Sequence, residues 1–131
     1  MTEENFVAET TFPIRYAETD AMGIVHHASY IVYFEEGRSA YTRERGRSYA
    51  AMEEDGYYLA VTGVQARYKQ SMRYGQNVTV RCWIDEMKSR TLIFAYELLD
   101  AQSGEICVTG TTKHVCLTKE GQIAKFPESW R

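Results

Sequence analysis

The chain has 131 residues, a net charge of −3 and 44% hydrophobic residues, enough apolar material for the core of one ordinary domain. The small negative charge disfavours a nucleic-acid partner, and no apolar run approaches the length of a membrane-spanning helix. The polar, acidic N-terminus lacks the features of a secretory signal, so we expect a cytoplasmic protein with no membrane partner. The 3 cysteines are odd in number and form no C-x-x-C pair, which predicts reduced thiols and no metal site.

The chain begins with a predicted strand and a turn. Residues 6–16 have the composition of a strand, and Pro13 indicates an edge position or a bulge near its end. Residues 17–26 contain a cluster of turn-forming side chains. A change of secondary structure is therefore expected near residue 26.

Residues 28–46 predict a helix, with Ser29 as N-cap and Gly46 as the stop signal. Ile31 and Val32 widen its apolar face, and a helix that is apolar on most of its circumference is normally buried. The residues that share the predicted core face recur at spacings of three and four: Tyr30, Tyr33, Phe34, Gly37 and Tyr41.

The second half of the chain predicts a short helix at 47–56 and then strands, because the apolar period changes to two after Gly56. The predicted strands are residues 57–70, 77–86, 90–100 and 105–117. Their short connections predict an antiparallel meander of four strands. With the first strand, this gives an α+β domain over residues 1–131, in which a sheet of about five strands curls around the long helix.

The chemistry concentrates in the loop before this helix. Glu18, Asp20, Gly23, His26 and His27 fall within ten residues. A helix N-terminus has unpaired N–H groups and about half a positive charge, which stabilises a developing oxyanion. A nearby carboxylate can act as nucleophile or general base. Asp20 and Gly23 also fit an ordinary turn, and adjacent histidines do not match a helical zinc site, whose ligands are four apart.

The order of residues in this loop forms an extended motif. It reads Thr19-Asp20, Gly23, Ile24-Val25, His27-Ala28-Ser29-Tyr30 and then Phe34-Glu35-Glu36-Gly37-Arg38. This pattern resembles the signature of the 4-hydroxybenzoyl-CoA thioesterase family, in its bacterial branch of short acyl-CoA thioesterases. The chain departs from the family pattern at Ser71-Met72 and at Gln76, outside the motif.

The resemblance implies a hotdog fold, a long central helix wrapped by a curved antiparallel sheet, assembled as a homodimer or homotetramer. It implies hydrolysis of an acyl-CoA, with Asp20 as the catalytic carboxylate and the His27 backbone N–H as oxyanion donor. The His27 side chain also matches a frequent family position. No cofactor is implied, since coenzyme A is part of the substrate. A related hotdog branch places its catalytic glutamate on the helix, so Glu35 and Glu36 are secondary candidates.

The expected substrate contacts lie in two groups. Gly23 is expected to approach the substrate closely, and Tyr30 is expected beside the acyl group. Lys88 and Arg90 flank a strand turn at which family members often bind the phosphates of coenzyme A. Basic side chains suit phosphates on general grounds. A second cluster offers the same chemistry: Arg67, Lys69 and Arg73.

Two other functions are compatible with this pattern. One is a hotdog hydratase or dehydratase acting on acyl thioesters, whose pattern has an Asp followed five residues later by a His. In this chain His26 and His27 follow Asp20 by six and seven residues, so the match is poor. A non-catalytic acyl-CoA binding or sensing protein would use the same pocket without turnover. The sequence leaves open the acyl group, aromatic or short aliphatic, and the choice between nucleophile and general base.

Overall fold

The computed structural model describes residues 6–46 and 49–130. Its elements are β1 Ala8–Pro13, α1 His27–Glu44, α2 Tyr49–Glu54, β2 Tyr57–Tyr68, β3 Asn77–Met87, β4 Thr91–Asp100 and β5 Ile106–Thr118. The α+β class and the single five-stranded antiparallel sheet are as predicted. None of the helices in these residues combines the length and apolar character needed to cross a bilayer.

The sheet has the strand order β1-β3-β4-β5-β2. β3, β4 and β5 form a meander, but β2 pairs with β5 and not with β3, so the predicted meander of four strands is wrong. The reason lies in the β2–β3 connection, which runs past the start of α1. The Val25 N–H donates to the Met72 carbonyl over 2.9 Å, and the Met72 N–H donates to the Tyr30 hydroxyl over 3.0 Å. These bonds hold the connection beside the helix, so β2 and β3 do not form a hairpin.

One face of α1 packs on β1, β3 and β4. All five residues predicted to share its core face are buried. Phe34 stacks on Tyr96 of β4 with ring centroids 4.5 Å apart. A Cβ at Gly37 would lie 2.6 Å from Cγ1 of Val80, so glycine permits the helix to approach β3 closely.

The opposite side of α1 is open in this chain. Ile31 is 38% exposed and Val32 is 47% exposed, so the prediction that they extend the buried face is wrong for a single chain. The strands against which α1 packs most closely are β1, β3 and β4. An exposed apolar strip on a helix is a feature of surfaces that bind another molecule.

The ends of α1 differ in how well the sequence predicted them. The N-cap is His26, whose backbone is extended, and not Ser29, whose hydroxyl donates to the Glu18 carbonyl over 3.3 Å. Gly46 has a φ of +73° and its N–H donates to the Arg43 carbonyl over 3.0 Å. The predicted stop at Gly46 is therefore confirmed.

Candidate active site

Asp20 lies in a tight loop that leads from β1 to α1. A β-bridge between Thr19 and Val25 closes the loop, and the Asp20 N–H donates to the Ile24 carbonyl over 2.8 Å. Gly23 has a φ of +77° and its N–H donates to the Asp20 carbonyl over 3.0 Å. Gly23 therefore shapes the turn, and its contact with substrate stays a prediction.

The Asp20 carboxylate has one oxygen engaged by the loop. Its Oδ1 accepts hydrogen bonds from the Met22 N–H over 2.8 Å and the Ile24 N–H over 3.1 Å. Those two N–H groups, Ile24 first, hold the pKa of Asp20 below its ordinary value, and the charges of His26 and Arg73 act in the same direction. Oδ2 accepts no hydrogen bond from the residues described. Asp20 therefore presents an ionised carboxylate with one free oxygen.

The start of α1 supplies a free backbone donor. The His26 N–H donates to the Glu18 carbonyl over 3.0 Å, and the Ser29 N–H donates to the His26 carbonyl over 3.0 Å. His27 is the first helical residue, and in the described part of the chain nothing accepts a hydrogen bond from its N–H. This N–H and the positive end of the helix dipole are suited to bind a carbonyl oxygen.

Glu18 joins the loop to the helix, a function that the sequence did not reveal. Its carboxylate accepts hydrogen bonds from the Arg15 N–H over 2.9 Å, from the Arg15 guanidinium over 3.0 Å and from the Tyr33 hydroxyl over 2.7 Å. Burial alone would raise the pKa of Glu18, but the bonds from Arg15 and Tyr33 outweigh it and lower the pKa. The three-residue spacing of Arg15 and Glu18 was a visible signal, whereas the contact with Tyr33 is tertiary.

A cleft of about 130 Å³ opens beside the helix start. Its lining residues are Ile24, Val25, His27, Tyr30, Tyr68, Lys69, Gln70 and Ser71. The His27 ring lies 4.7 Å from the Tyr68 ring, and Tyr30 lies 5.4 Å from Tyr68, centroid to centroid. The Tyr30 hydroxyl is occupied by Met72, so Tyr30 presents its ring to the cleft. Tyr68, at the end of β2, was not singled out from the sequence.

The predicted phosphate-binding cations lie in two different places. Lys88 and Arg90 are in the β3–β4 turn, whereas the Asp20 loop lies near Asn77, at the other end of β3. Because β3 has 11 residues, these ends are roughly 35 Å apart along the strand. Within one chain the structure therefore does not bring Lys88 and Arg90 to Asp20.

Two members of the second basic cluster lie closer to the loop, whereas the third, Arg67, lines a separate groove on the sheet beside Trp83. Lys69 lines the cleft beside His27, and Arg73 forms a β-bridge with Ile24. Both side chains are exposed. Proximity thus favours Lys69 and Arg73 as the cations that one chain contributes to its own site. In residues 6–46 and 49–130, no group of three or more His, Cys, Asp or Glu side chains is arranged to hold a metal ion.

Residues 14–131 match the family described as the thioesterase-like superfamily. The chain belongs to this superfamily. The match covers the Asp20 loop, α1 and the strands β2 to β5, and it begins directly after β1. It confirms the thioesterase resemblance that the motif in residues 15–38 indicated.

Individual members of the superfamily resemble the chain over most of its length. The Bacillus subtilis protein named "Putative acyl-CoA thioesterase YneP" is 35% identical over 87% of this chain and 82% of its own. A hypothetical protein from Thermus thermophilus, TT1821, superposes with a TM-score of 0.88 and 34% identity over 93% of this chain and 92% of its own. The DHNA-CoA thioesterase of Staphylococcus aureus superposes with a TM-score of 0.84 and 32% identity over 92% and 79%. These superpositions confirm the hotdog fold.

Proposed function

We propose that this thioesterase-superfamily protein hydrolyses an acyl-CoA to a free acid and coenzyme A. The observation that carries the proposal is the Asp20 carboxylate, ionised and with one free oxygen, in the loop that ends at the unpaired His27 N–H. A thioester hydrolase needs a group that attacks or activates water and a donor for the developing oxyanion. The names of the relatives, which include acyl-CoA and DHNA-CoA thioesterases, support the same reaction.

In the proposed mechanism the thioester carbonyl oxygen accepts a hydrogen bond from the His27 N–H. Asp20 then acts in one of two ways. It attacks the carbonyl carbon and expels the coenzyme A thiolate, and water hydrolyses the resulting mixed anhydride. Alternatively, it takes a proton from a water molecule that attacks the carbonyl carbon, and the resulting tetrahedral intermediate expels the coenzyme A thiolate. One oxyanion donor contributes about 3 kcal/mol, and general-base catalysis contributes roughly 10²–10⁴-fold.

We place the acyl group against the Tyr30 and Tyr68 rings and the coenzyme A phosphates near Lys69 and Arg73. The cleft beside His27 supports the first assignment, and the positions of the two exposed cations support the second. Lys88 and Arg90 reach the same ligand only from a second subunit, because they lie at the other end of β3. A homodimer or homotetramer, predicted from the sequence, is therefore part of this proposal, as is a cytosolic location.

The test is thiol release from aromatic, short-chain and long-chain acyl-CoAs by the wild type and by Asp20→Asn. The substitution keeps the size of the side chain and removes its negative charge. We expect wild-type turnover of at least one class and a loss of at least 100-fold in kcat for Asp20→Asn, as expected for loss of a nucleophile or base. The class that turns over identifies the acyl group.

Asp55→Asn is the matched control, since Asp55 is exposed in the turn after α2. It should keep wild-type activity. Full activity in Asp20→Asn would remove Asp20 from the mechanism. Tight binding of every acyl-CoA without thiol release would favour a sensor, and a changed acyl chain still attached to coenzyme A would favour a hydratase.

A further inference from the structure

Gln76 lies in the turn that leads into β3, and its side chain is half-buried. Its Oε1 accepts a hydrogen bond from the Arg73 N–H over 2.6 Å. Its Nε2 donates to Oδ2 of Asp100, at the end of β4, over 3.3 Å. Gln76 is a position at which the chain departs from the family pattern, and the proposed mechanism does not use its side chain.

The two partners of this side chain require opposite chemistry from it. A backbone N–H only donates, and an ionised carboxylate only accepts. The group at position 76 must therefore accept on one side and donate on the other, which a primary amide does. The same requirement assigns the oxygen of Gln76 to Arg73 and its nitrogen to Asp100. A carboxylate at this position would instead face the Asp100 carboxylate and be repelled by it.

The backbone of Gln76 makes two further hydrogen bonds. Its N–H donates to the Arg73 carbonyl over 3.2 Å, which closes the turn. Its carbonyl accepts the N–H of Ile14, the residue directly after β1, over 3.0 Å. Gln76 thus joins the β2–β3 connection to the ends of β1 and β4. Because β1 and β4 both pair with β3, this residue anchors the connection to the sheet.

The segment that Gln76 anchors is paired with the Asp20 loop. Arg73 forms a β-bridge with Ile24, and two backbone hydrogen bonds of 2.9 Å flank this bridge. The Ile24 N–H in turn donates to Oδ1 of Asp20 over 3.1 Å. A continuous set of contacts therefore leads from the end of β4 through Gln76, Arg73 and Ile24 to the Asp20 carboxylate.

We propose that Gln76 is a positioning residue for the thioesterase site: its amide holds the segment around Arg73 and, through Ile24, fixes the place of the Asp20 carboxylate. The inference rests on the proposed function, in which Asp20 attacks the thioester or activates water. Catalysis depends on the alignment of the reacting atoms, so a displaced carboxylate loses rate steeply. Gln76 acts through Arg73 and Ile24 and not by contact with the substrate.

The test exchanges the hydrogen-bonding roles of Gln76 and Asp100. Gln76→Glu keeps the acceptor for Arg73 but replaces the donor to Asp100 by a second carboxylate. Asp100→Asn leaves one acceptor oxygen for two donors, the Gln102 N–H and the Gln76 amide, so it weakens the contact. In the double variant the introduced asparagine amide donates to the introduced glutamate, which restores a matched pair.

The first readout is kcat for an acyl-CoA that the wild type hydrolyses, with circular dichroism to confirm the fold. We expect kcat to fall by about tenfold or more in Gln76→Glu, with a smaller change in KM. The double variant should recover most of this loss, because two residues in direct contact are not additive. Gln65→Glu adds the same charge at an exposed position of β2 and should keep the wild-type rate.

The second readout uses ¹⁵N NMR and does not depend on turnover. The Ile24 amide signal reports the hydrogen bond to Asp20. We expect this signal to shift in Gln76→Glu and to return in the double variant, while the amide signals of α2 stay in place. In the wild type, ¹⁵N relaxation should show the Gln76 side-chain amide to be as rigid as the backbone, because both its oxygen and its nitrogen are bonded.

The proposal is overturned if the Gln76 amide is mobile in the wild type, if Gln76→Glu leaves either the Ile24 signal or kcat unchanged, or if the double variant does not recover. The relaxation measurement needs no variant, so it decides the matter even if Gln76→Glu fails to fold. Absence of turnover in the wild type would overturn the proposed function, whereas the Ile24 signal would still test whether Gln76 holds the loop.

Discussion

Tyr33 donates its phenolic hydrogen to the Glu18 carboxylate over 2.7 Å, across fifteen residues of chain. Tyr33 lies in the second turn of α1, and Glu18 lies two residues before Asp20. The Glu18 carbonyl also accepts the N–H of the N-cap residue His26. One residue therefore ties the Asp20 loop to the helix start through both its side chain and its backbone.

Tyr33→Phe removes this donor while leaving the ring in place. Hydrogen bonds to charged groups contribute about 1.5–3 kcal/mol, so we expect a loss of that size in the free energy of unfolding, measured by urea denaturation. We also expect a lower kcat, because the loop loses a link to the helix start, where we propose that the His27 N–H binds the oxyanion. Tyr58→Phe, at an exposed position of β2, should change neither quantity. Wild-type stability in Tyr33→Phe would show that this bond contributes nothing.

The lowered pKa of Asp20 predicts the acidic side of the pH–rate profile. Asp20 must be ionised to act as nucleophile or base, and the Ile24 and Met22 N–H groups favour the ionised form. Activity should therefore persist as pH falls and decline only below the ordinary aspartate value of 3.8, provided that the protein stays folded. The measurement is kcat/KM between pH 3 and 8, with circular dichroism at each pH. A decline of kcat/KM near pH 6 that results from protonation of Asp20 would contradict the lowered pKa of this residue.

His114 predicts that the stability of the fold depends on pH, in a window above the ordinary pKa of aspartate. Its pKa is about 3 when folded and 6.5 as an ordinary side chain, so between these values the unfolded state binds one more proton. Stability should therefore be complete above pH 6.5 and fall on acidification, by about 1.4 kcal/mol per pH unit for one proton. Urea unfolding between pH 6.5 and 5 measures the slope. His114→Gln should flatten it, and an unchanged slope would show that His114 is not the group responsible.

The contact between Gly37 and Val80 predicts a steric limit on the helix. A Cβ at position 37 would lie 2.6 Å from Cγ1 of Val80, in a fully buried contact. Gly37→Ala should destabilise the fold by about 1–3 kcal/mol, the usual range for overpacking. Gly63→Ala is the control, because its nearest neighbour is the Lys113 Cβ at 3.9 Å. Thermal unfolding of both variants gives the comparison. Equal midpoints would mean that Val80 can shift to make room for the added methyl group without loss of stability.

β2 predicts how the chain assembles. It is a 12-residue edge strand with exposed apolar side chains at Val61, Val64 and Tyr68, and long apolar edges favour pairing with another chain. We expect a dimer or larger oligomer by light scattering, and a shift towards monomer in Val64→Lys. Val7→Lys places the same charge before β1, at the other edge of the sheet, and should leave assembly unchanged. A monomeric wild type would contradict the prediction.

The parts of the fold that follow from local patterns were predictable. The period of the apolar residues located α1 and the strands to within a few residues, and Gly46 marked the helix end because glycine adopts a positive φ readily. The N-cap was misplaced because Ser29 finds its partner in Glu18, eleven residues away. The position of β2 was misjudged for a similar reason, since the bonds from Tyr30 and Val25 to Met72 hold its connection at the helix start.

The sequence by itself identified the family, and it predicted a site in the loop with Asp20 and His27, because both depend on the order of residues in one short segment. Only the tertiary structure decided which cations lie near that loop. Lys69 and Arg73 lie near the loop because they belong to the β2–β3 connection, which passes beside it. Lys88 lies far from the loop because it follows β3 at the opposite end of that strand. The buried hydrogen-bonded contacts that join Arg38 to Tyr96, Tyr96 to Thr112 and Thr112 to His114 were equally hidden, because these residues come from three separate elements, α1, β4 and β5.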